Sequence, residues 1–205
     1  MKSIFSKLVT SFSLFLLFSC NTTAHIPVPG EKTVQKNNIS NEYYTIADAY
    51  FDLGKYDKAC TYYKLAMKNK SLYWSSYYKL GKSYVNSKNW EQAEKVFVDL
   101  LKRDSENISL KMSLAYISAM NNNLVKSEEL YSQMWETNPD NADILSNYIN
   151  VLIAAGKTEK AKELSIELKE KFKDNKYISD FEKYFTEEQE KQQKEESSNE
   201  NSSSE

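Results

Sequence analysis

Two consecutive stretches of sequence decide the fold: SNEYYTIADAYFDLGKYDKACTYYKLAMKNKSLY at 40–73 and WSSYYKLGKSYVNSKNWEQAEKVFVDLLKRDSEN at 74–107. When one is laid on the other, their small, aromatic and apolar positions coincide. The same spacing continues through residues 108–141 and 142–175. One column of small residues recurs once in each stretch, namely Ala59, Ala93, Ser127 and Ala161. A sustained period of about 34 residues predicts tandem helix hairpins that stack on one another.

Within each period, the order of large, apolar, small and aromatic residues resembles that of the tetratricopeptide repeat family. The best matches are in the first two repeats, at Tyr43, Ile46, Ala47 and Tyr50, then at Tyr77, Leu80, Gly81 and Tyr84. Gly54 and Gly156 occupy the turn between the two helices, and Pro139 stands where a second helix ends in that family. The resemblance covers residues 40–175 and implies an all-α fold, an α-solenoid of four tandem helix hairpins.

The residues after the fourth repeat divide into two predicted segments. A helical pattern continues over 176–192, and we expect a capping helix that covers the last apolar face. From Thr186 to Glu205 the chain has seven Glu and two Lys, followed by Ser and Asn. This composition predicts a disordered acidic tail at 193–205.

The N-terminus predicts export. Two lysines precede an apolar run at residues 8–18, which is typical of a secretory signal and is too short to span a bilayer as a helix. The sequence Leu17-Phe18-Ser19-Cys20 resembles the lipobox of bacterial lipoproteins. That resemblance implies cleavage of a signal peptide at 1–19 and lipidation of Cys20. The alternative is an exported protein with a free Cys20. Residues 20–39 show no sustained period and are predicted to form a flexible tether.

The composition argues against several kinds of chemistry. The chain has one histidine, two cysteines and four glycines, and its 27 basic residues nearly balance its 29 acidic ones. It lacks a histidine in the repeats, a Gly-rich phosphate loop, a Cys-x-x-Cys motif and a nucleophile elbow. Near-neutral charge gives no bulk attraction to nucleic acid. We therefore predict a protein that is not an enzyme and has no cofactor, no metal site and no nucleic-acid partner.

The family resemblance also implies a binding surface, because the first helices of successive repeats line a concave groove. The groove positions carry Tyr44, Asp48, Phe51, Tyr78, Lys82, Val85, Asn86, Met112, Tyr116 and Asn150. We expect their apolar and aromatic groups to hold an extended peptide or a partner helix. The Lys and Asn residues with which one subfamily grips a chaperone's C-terminal carboxylate are absent. The alternative is that Tyr44 and Tyr78 only pack against the neighbouring helix.

These features together predict a lipid-anchored protein of a bacterial cell envelope, with its repeats facing the periplasm or the cell surface. We expect it to act as a scaffold or adaptor that binds another envelope protein or peptide through the groove. Two alternatives share this location. One is a subunit of an outer-membrane protein assembly machine, and the other is an accessory partner of a solute-binding or transport protein that holds an apolar ligand.

Overall fold

A computed structural model describes the backbone of residues 30–202 and the side chains of residues 30–194. The predicted signal peptide at 1–19, the predicted lipidation site Cys20 and residues 21–29 of the predicted tether lie outside the described residues. The chain divides into two compact units, Met1–Asn37 and Asn38–Glu205. In the first unit the described residues are 30–37, which begin the first helix.

The part of the chain that the structure describes is all-α, as predicted, and contains nine helices and no strand. The helices are α1 Glu31–Asp52, α2 Tyr56–Ala66, α3 Tyr73–Asn86, α4 Trp90–Arg103, α5 Ile108–Met120, α6 Leu124–Thr137, α7 Ala142–Ala154, α8 Thr158–Lys171 and α9 Ile178–Ser202. From α2 to α9, each helix packs against the next along the chain. This sequential packing is that of a solenoid built from helix hairpins.

The turn inside each hairpin has the same backbone conformation in all four repeats. The residues at this repeat position have positive φ: 69° at Gly54, 58° at Lys88, 61° at Asn122 and 71° at Gly156. Glycine adopts this left-handed conformation without strain, whereas an L side chain costs about 1–2 kcal/mol there. Gly54 and Gly156 suit this conformation best, Asn122 is one of the few other residue types that adopt it readily, and Lys88 is the residue that is strained there.

Asparagine side chains cap the N-termini of four helices. The side chains of Asn89, Asn107, Asn123 and Asn141 accept hydrogen bonds from the backbone N–H groups of Gln92, Leu110, Lys126 and Ile144. A side-chain cap satisfies a backbone donor that has no partner within the helix and adds about 1 kcal/mol of stability. These caps define where successive helices begin.

The core runs along the stack, and α9 covers its last face. Phe181 and Phe185 of α9 are almost fully buried, together with Leu145, Ile149 and Leu168 of the fourth hairpin. The predicted capping helix is therefore present.

Gly81 marks a close approach between two helices within the stack. A Cβ atom at this position would lie 2.7 Å from Val96 Cγ1, so α3 and α4 approach more closely than a methyl group allows. The glycine predicted at a tight helix crossing is therefore where the packing requires it.

Two predicted boundaries are wrong. The tether was expected to extend through residue 39, but α1 begins at Glu31. No proline or glycine follows Gly30 until Gly54, and an acidic residue in the first turn favours a helix start.

At the other end, the capping helix was expected to stop at 192 before a disordered tail at 193–205. Instead α9 continues to Ser202. Its Glu, Gln and Lys residues are strong helix formers, and neither glycine nor proline interrupts them.

Candidate peptide-binding groove

A cavity of about 310 Å³ opens on the face formed by the first helices of repeats two, three and four. Its walls come from α3, α5 and α7, and its floor from second-helix residues of α4 and α6. The lining residues are Tyr78, Lys82, Val85, Asn86, Phe97, Met112, Ser113, Tyr116, Tyr131 and Asn147. Six of the predicted groove residues are thus brought together in one cavity, namely Tyr78, Lys82, Val85, Asn86, Met112 and Tyr116.

A repeated contact between first and second helices supports this face. The Tyr44 ring meets the Tyr63 ring edge-on at 5.8 Å, and one repeat later Tyr78 meets Phe97 in the same way at 6.1 Å. In the third repeat, the Tyr131 hydroxyl donates to the backbone carbonyl of Met112 at 3.4 Å. The same pair of positions therefore forms the base of the concave face in three repeats.

Packing inside a repeat does not bury all of these side chains. Tyr78 remains 38% exposed, Tyr116 45% and Met120 46%. Tyr116 also meets the Trp90 ring edge-on at 6.4 Å, which restricts its orientation. Partly exposed aromatic side chains that are already held in place lose little conformational freedom on binding. Tyr78 consequently packs against its neighbour and also lines the cavity.

Asp48 joins the first two repeats. Its carboxylate accepts a hydrogen bond from the Tyr63 hydroxyl and pairs with Lys79 Nζ at 3.1 Å. Burial, with the hydrogen bond to Asp48, raises the pKa of Tyr63 far above its ordinary value. Burial lowers the pKa of Lys79, but the hydrogen bond to Asp48 and the charge of its carboxylate outweigh burial. The pKa of Lys79 is therefore raised. Asp48 therefore acts as a link between repeats rather than as a free ligand group.

Phe51 lies beside the cavity rather than in it. Its ring meets Tyr56 edge-on at 5.3 Å, and Lys82 Nζ lies 5.6 Å from the ring centroid. Lys82 is the one charged residue in the cavity lining, and within residues 30–194 it has no carboxylate within 4.0 Å. The cavity therefore offers one cation next to an aromatic track.

In the fourth repeat, the predicted groove residue Asn150 lies almost one helical turn from Asn147, the residue that lines the cavity. Asn150 is exposed but does not line the cavity, and Asn147 lines it instead. Ser146, at the position equivalent to Tyr78 and Met112, is buried and accepts a hydrogen bond from the Asn175 amide at 3.3 Å. Because the segment before α9 covers Ser146, the residue of α7 that lines the cavity is the next one, Asn147.

Sequence reasoning also missed the cavity floor. Phe97 and Tyr131 are not among the predicted groove residues, although they occupy equivalent positions in successive repeats, a position that Tyr63 shares. The recurrence of a large aromatic residue at this position of the second helix is the sequence signal that could have identified the cavity floor.

Cys60 is the one cysteine among the described residues, and it is buried. Burial raises the pKa of the Cys60 thiol to about 11, so it stays protonated near neutral pH. Within residues 30–194, no group of three or more His, Cys, Asp or Glu side chains could hold a metal ion. None of the helices in the described part is both long enough and apolar enough to span a membrane.

Family models described as tetratricopeptide repeat match residues 43–71, 75–107 and 118–181. The chain is 27% identical over 122 residues to an uncharacterized lipoprotein of Treponema pallidum (strain Nichols), covering 60% of this chain and 62% of that protein. It is 31% identical over 135 residues to tetratricopeptide repeat protein 21B of Xenopus laevis, covering 65% of this chain and 10% of that protein. The chain thus spans less than two thirds of either relative.

Solved structures of low sequence identity share the fold. MamA from residue 41 of Desulfovibrio magneticus RS-1 matches with a TM-score of 0.59 at 15% identity, covering 67% of this chain and 77% of that one. Another MamA structure gives 0.55 at 19% identity, covering 77% and 94%. YrrB, described as a TPR protein with an unusual peptide-binding site, gives 0.50 at 18% identity, covering 63% and 67%.

Proposed function

Because the chain belongs to the tetratricopeptide repeat family, we propose that it is a scaffold of a bacterial cell envelope that binds another envelope protein through its concave face. The observation that carries this proposal is the cavity between α3, α5 and α7, with Tyr78 and Tyr116 partly exposed at its edge. Aromatic side chains in such positions contribute most of the binding energy at protein interfaces. YrrB, which shares this fold, has a peptide-binding site, and this supports peptide binding as the proposed role.

The dimensions and chemistry of the cavity favour a peptide segment. At about 310 Å³ it is at the small end of ligand pockets, which measure about 300–1,000 Å³, and it suits one or two side chains of a larger partner. Asn86, Asn147 and Ser113 place amide and hydroxyl groups around the apolar walls. Such groups can bind the backbone of an extended peptide while the apolar walls receive its side chains.

Photo-crosslinking in the native organism tests this assignment. A photoreactive amino acid is placed at Tyr116, beside the cavity, and in a matched control at Val125, which is 79% exposed on α6 and does not line the cavity. We expect one discrete protein adduct from the Tyr116 variant and none from the Val125 variant. Equal crosslinking from both positions would reject the groove as the binding site. Adducts with outer-membrane barrel proteins would indicate the assembly machine, and adducts with a solute-binding protein the transport accessory.

We further propose that a lipid on Cys20 anchors the chain to a membrane. The proposal is supported by the lipobox-like sequence at 17–20 and by the lipoprotein name of the Treponema pallidum relative. An acyl chain adds about 0.8 kcal/mol for each buried CH₂, so two or three chains give stable anchoring. Cells are grown with labelled fatty acid and separated into membrane and soluble fractions. Cys20→Ser is expected to lose the label, and a Cys60→Ser control to keep it; label in Cys20→Ser would contradict lipidation at this residue.

A further inference from the structure

Aromatic and basic side chains lie around the start of α3, outside the groove. Tyr73 and Trp74 begin α3, are 36% and 41% exposed, and their ring centroids lie 5.0 Å apart. The Arg103 guanidinium, at the end of α4, lies 4.5 Å from the Trp74 ring centroid. Lys68 and Lys70 are exposed in the loop that leads into α3. We call these five residues the aromatic–basic patch.

The three cations of the patch form no ion pair within the part of the chain whose side chains are described. Among residues 30–194, neither lysine nor Arg103 has a carboxylate within 4.0 Å. Of the acidic side chains near Arg103 in sequence, Asp99 pairs with Lys102 and accepts from Tyr77, and Asp104 accepts from the Asn107 amide. The sequence adds to this bias, because residues 58–90 contain seven lysines and no acidic residue.

Packing holds the aromatic rings of the patch in place. The Tyr73 ring stacks on the Tyr77 ring at 5.8 Å, and the Tyr77 hydroxyl donates to Asp99 Oδ2 at 3.0 Å. Trp74 is held between Arg103 and the edge of Tyr77, at 6.2 Å. The exposed rings are thus presented by a rigid support, and the groove residues Tyr116 and Met112 take no part in it.

We propose that the aromatic–basic patch docks on an anionic lipid bilayer. Tryptophan and tyrosine favour the headgroup region, where their apolar rings and polar groups are both accommodated. Lysine and arginine near such a surface are attracted by anionic headgroups, and their long side chains can reach the phosphates. Two partly exposed rings, the Arg103 guanidinium over Trp74 and two exposed lysines in the preceding loop match both requirements. The inference depends neither on a lipid at Cys20 nor on the groove.

Quenching of tryptophan fluorescence by brominated lipids tests the proposal. The full chain is mixed with vesicles of phosphatidylglycerol or of phosphatidylcholine, both with brominated acyl chains. We expect strong quenching in phosphatidylglycerol and weak quenching in phosphatidylcholine. Trp74→Phe should remove the lipid-dependent difference, whereas Trp90→Phe, a half-buried control, should keep it. Residues 1–29 are the same in every variant, so a difference between variants in the same lipid reports the substituted residues.

A charge-matched pair of variants separates docking from general attraction. The triple variant Lys68→Gln, Lys70→Gln, Arg103→Gln should lower quenching in phosphatidylglycerol to its level in phosphatidylcholine, because each cation contributes about fivefold to the affinity. The control Lys55→Gln, Lys95→Gln, Lys173→Gln removes three exposed lysines elsewhere and should quench like the unmodified chain. Equal quenching of the unmodified chain in both lipids, or no loss in the triple variant, would overturn the proposal. An acidic protein partner captured by the patch without vesicle quenching would overturn it as well.

Discussion

Gly81→Ala tests the close approach of α3 and α4, which positions the wall of the groove. The added Cβ would lie 2.7 Å from Val96 Cγ1 and 3.1 Å from Phe97 Cε2, both in buried side chains. Overpacking of this kind costs about 1–3 kcal/mol, and the better helix propensity of alanine returns about 1 kcal/mol. We expect a net loss of up to about 2 kcal/mol in the free energy of unfolding, measured by urea denaturation and circular dichroism.

A double-mutant cycle identifies the cause of that loss. Val96→Ala alone should cost about 2 kcal/mol, because two buried methyl groups are removed. It also removes the atom that the new Cβ would meet first, so Gly81→Ala should cost much less in its presence. We expect the double variant to be at least about 1 kcal/mol more stable than the sum of the single effects predicts, on the scale of coupling between contacting residues. Additivity within about 0.5 kcal/mol would refute the steric explanation. Ala47 and Ala115 occupy the same buried position in repeats one and three, so the expected clash is specific to the neighbours of Gly81.

Three further predictions concern the turns, the buried thiol and the buried phenols. Lys88→Gly, at φ 58°, should raise the free energy of unfolding by up to about 1 kcal/mol. Gly54→Ala, at φ 69°, should lower it by about the same amount. A change of the same sign in both variants would contradict the turn geometry. In a Cys20→Ser background, Cys60 should resist alkylation at pH 8 until urea unfolds the chain, since burial raises its pKa to about 11; rapid labelling of folded protein would contradict its burial. Burial, with the hydrogen bond to Asp99, raises the pKa of Tyr77 to about 12, and burial raises that of Tyr131 to about 12. The folded state thus favours the neutral phenols, so their contribution should be intact below the unfolded pKa of about 10 and lost as pH rises from about 10 to about 12. Urea midpoints across this range should fall less for Tyr77→Phe than for the unmodified chain, and an equal fall would exclude Tyr77 as a source.

The repeat period was sufficient to predict the helix hairpins, and the family resemblance indicated which first-helix side chains share a face, because side chains at equivalent positions meet equivalent neighbours. Tyr78 and Met112 line the cavity as their repeat positions imply. The fourth repeat departs from the pattern since its neighbour is the capping segment rather than another full hairpin. Asn175, which lies just before the capping helix, covers Ser146 there. The repeat pattern carries no information about this contact, because Asn175 belongs to the segment that leads into the capping helix.

The helix boundaries beyond the repeats could not be predicted from the same signal. Residues 31–39 and 193–202 lack an apolar period, so they were assigned to a tether and a disordered tail. Both segments are helical in the structure, where helix-forming residues and continuity with a packed helix replace the missing period.

The affinity of the protein captured at Tyr116 tests the central claim, that the concave face binds a protein partner, most directly. The captured protein is purified, and its dissociation constant is measured with the unmodified chain, with Tyr116→Ala and with Val125→Ala. We predict that Tyr116→Ala weakens binding by about 30-fold, as expected for an aromatic side chain that contributes about 2 kcal/mol at an interface. Val125→Ala should bind within about twofold of the unmodified chain. Equal affinity of all three proteins, with unchanged helicity, would contradict the assignment of the groove.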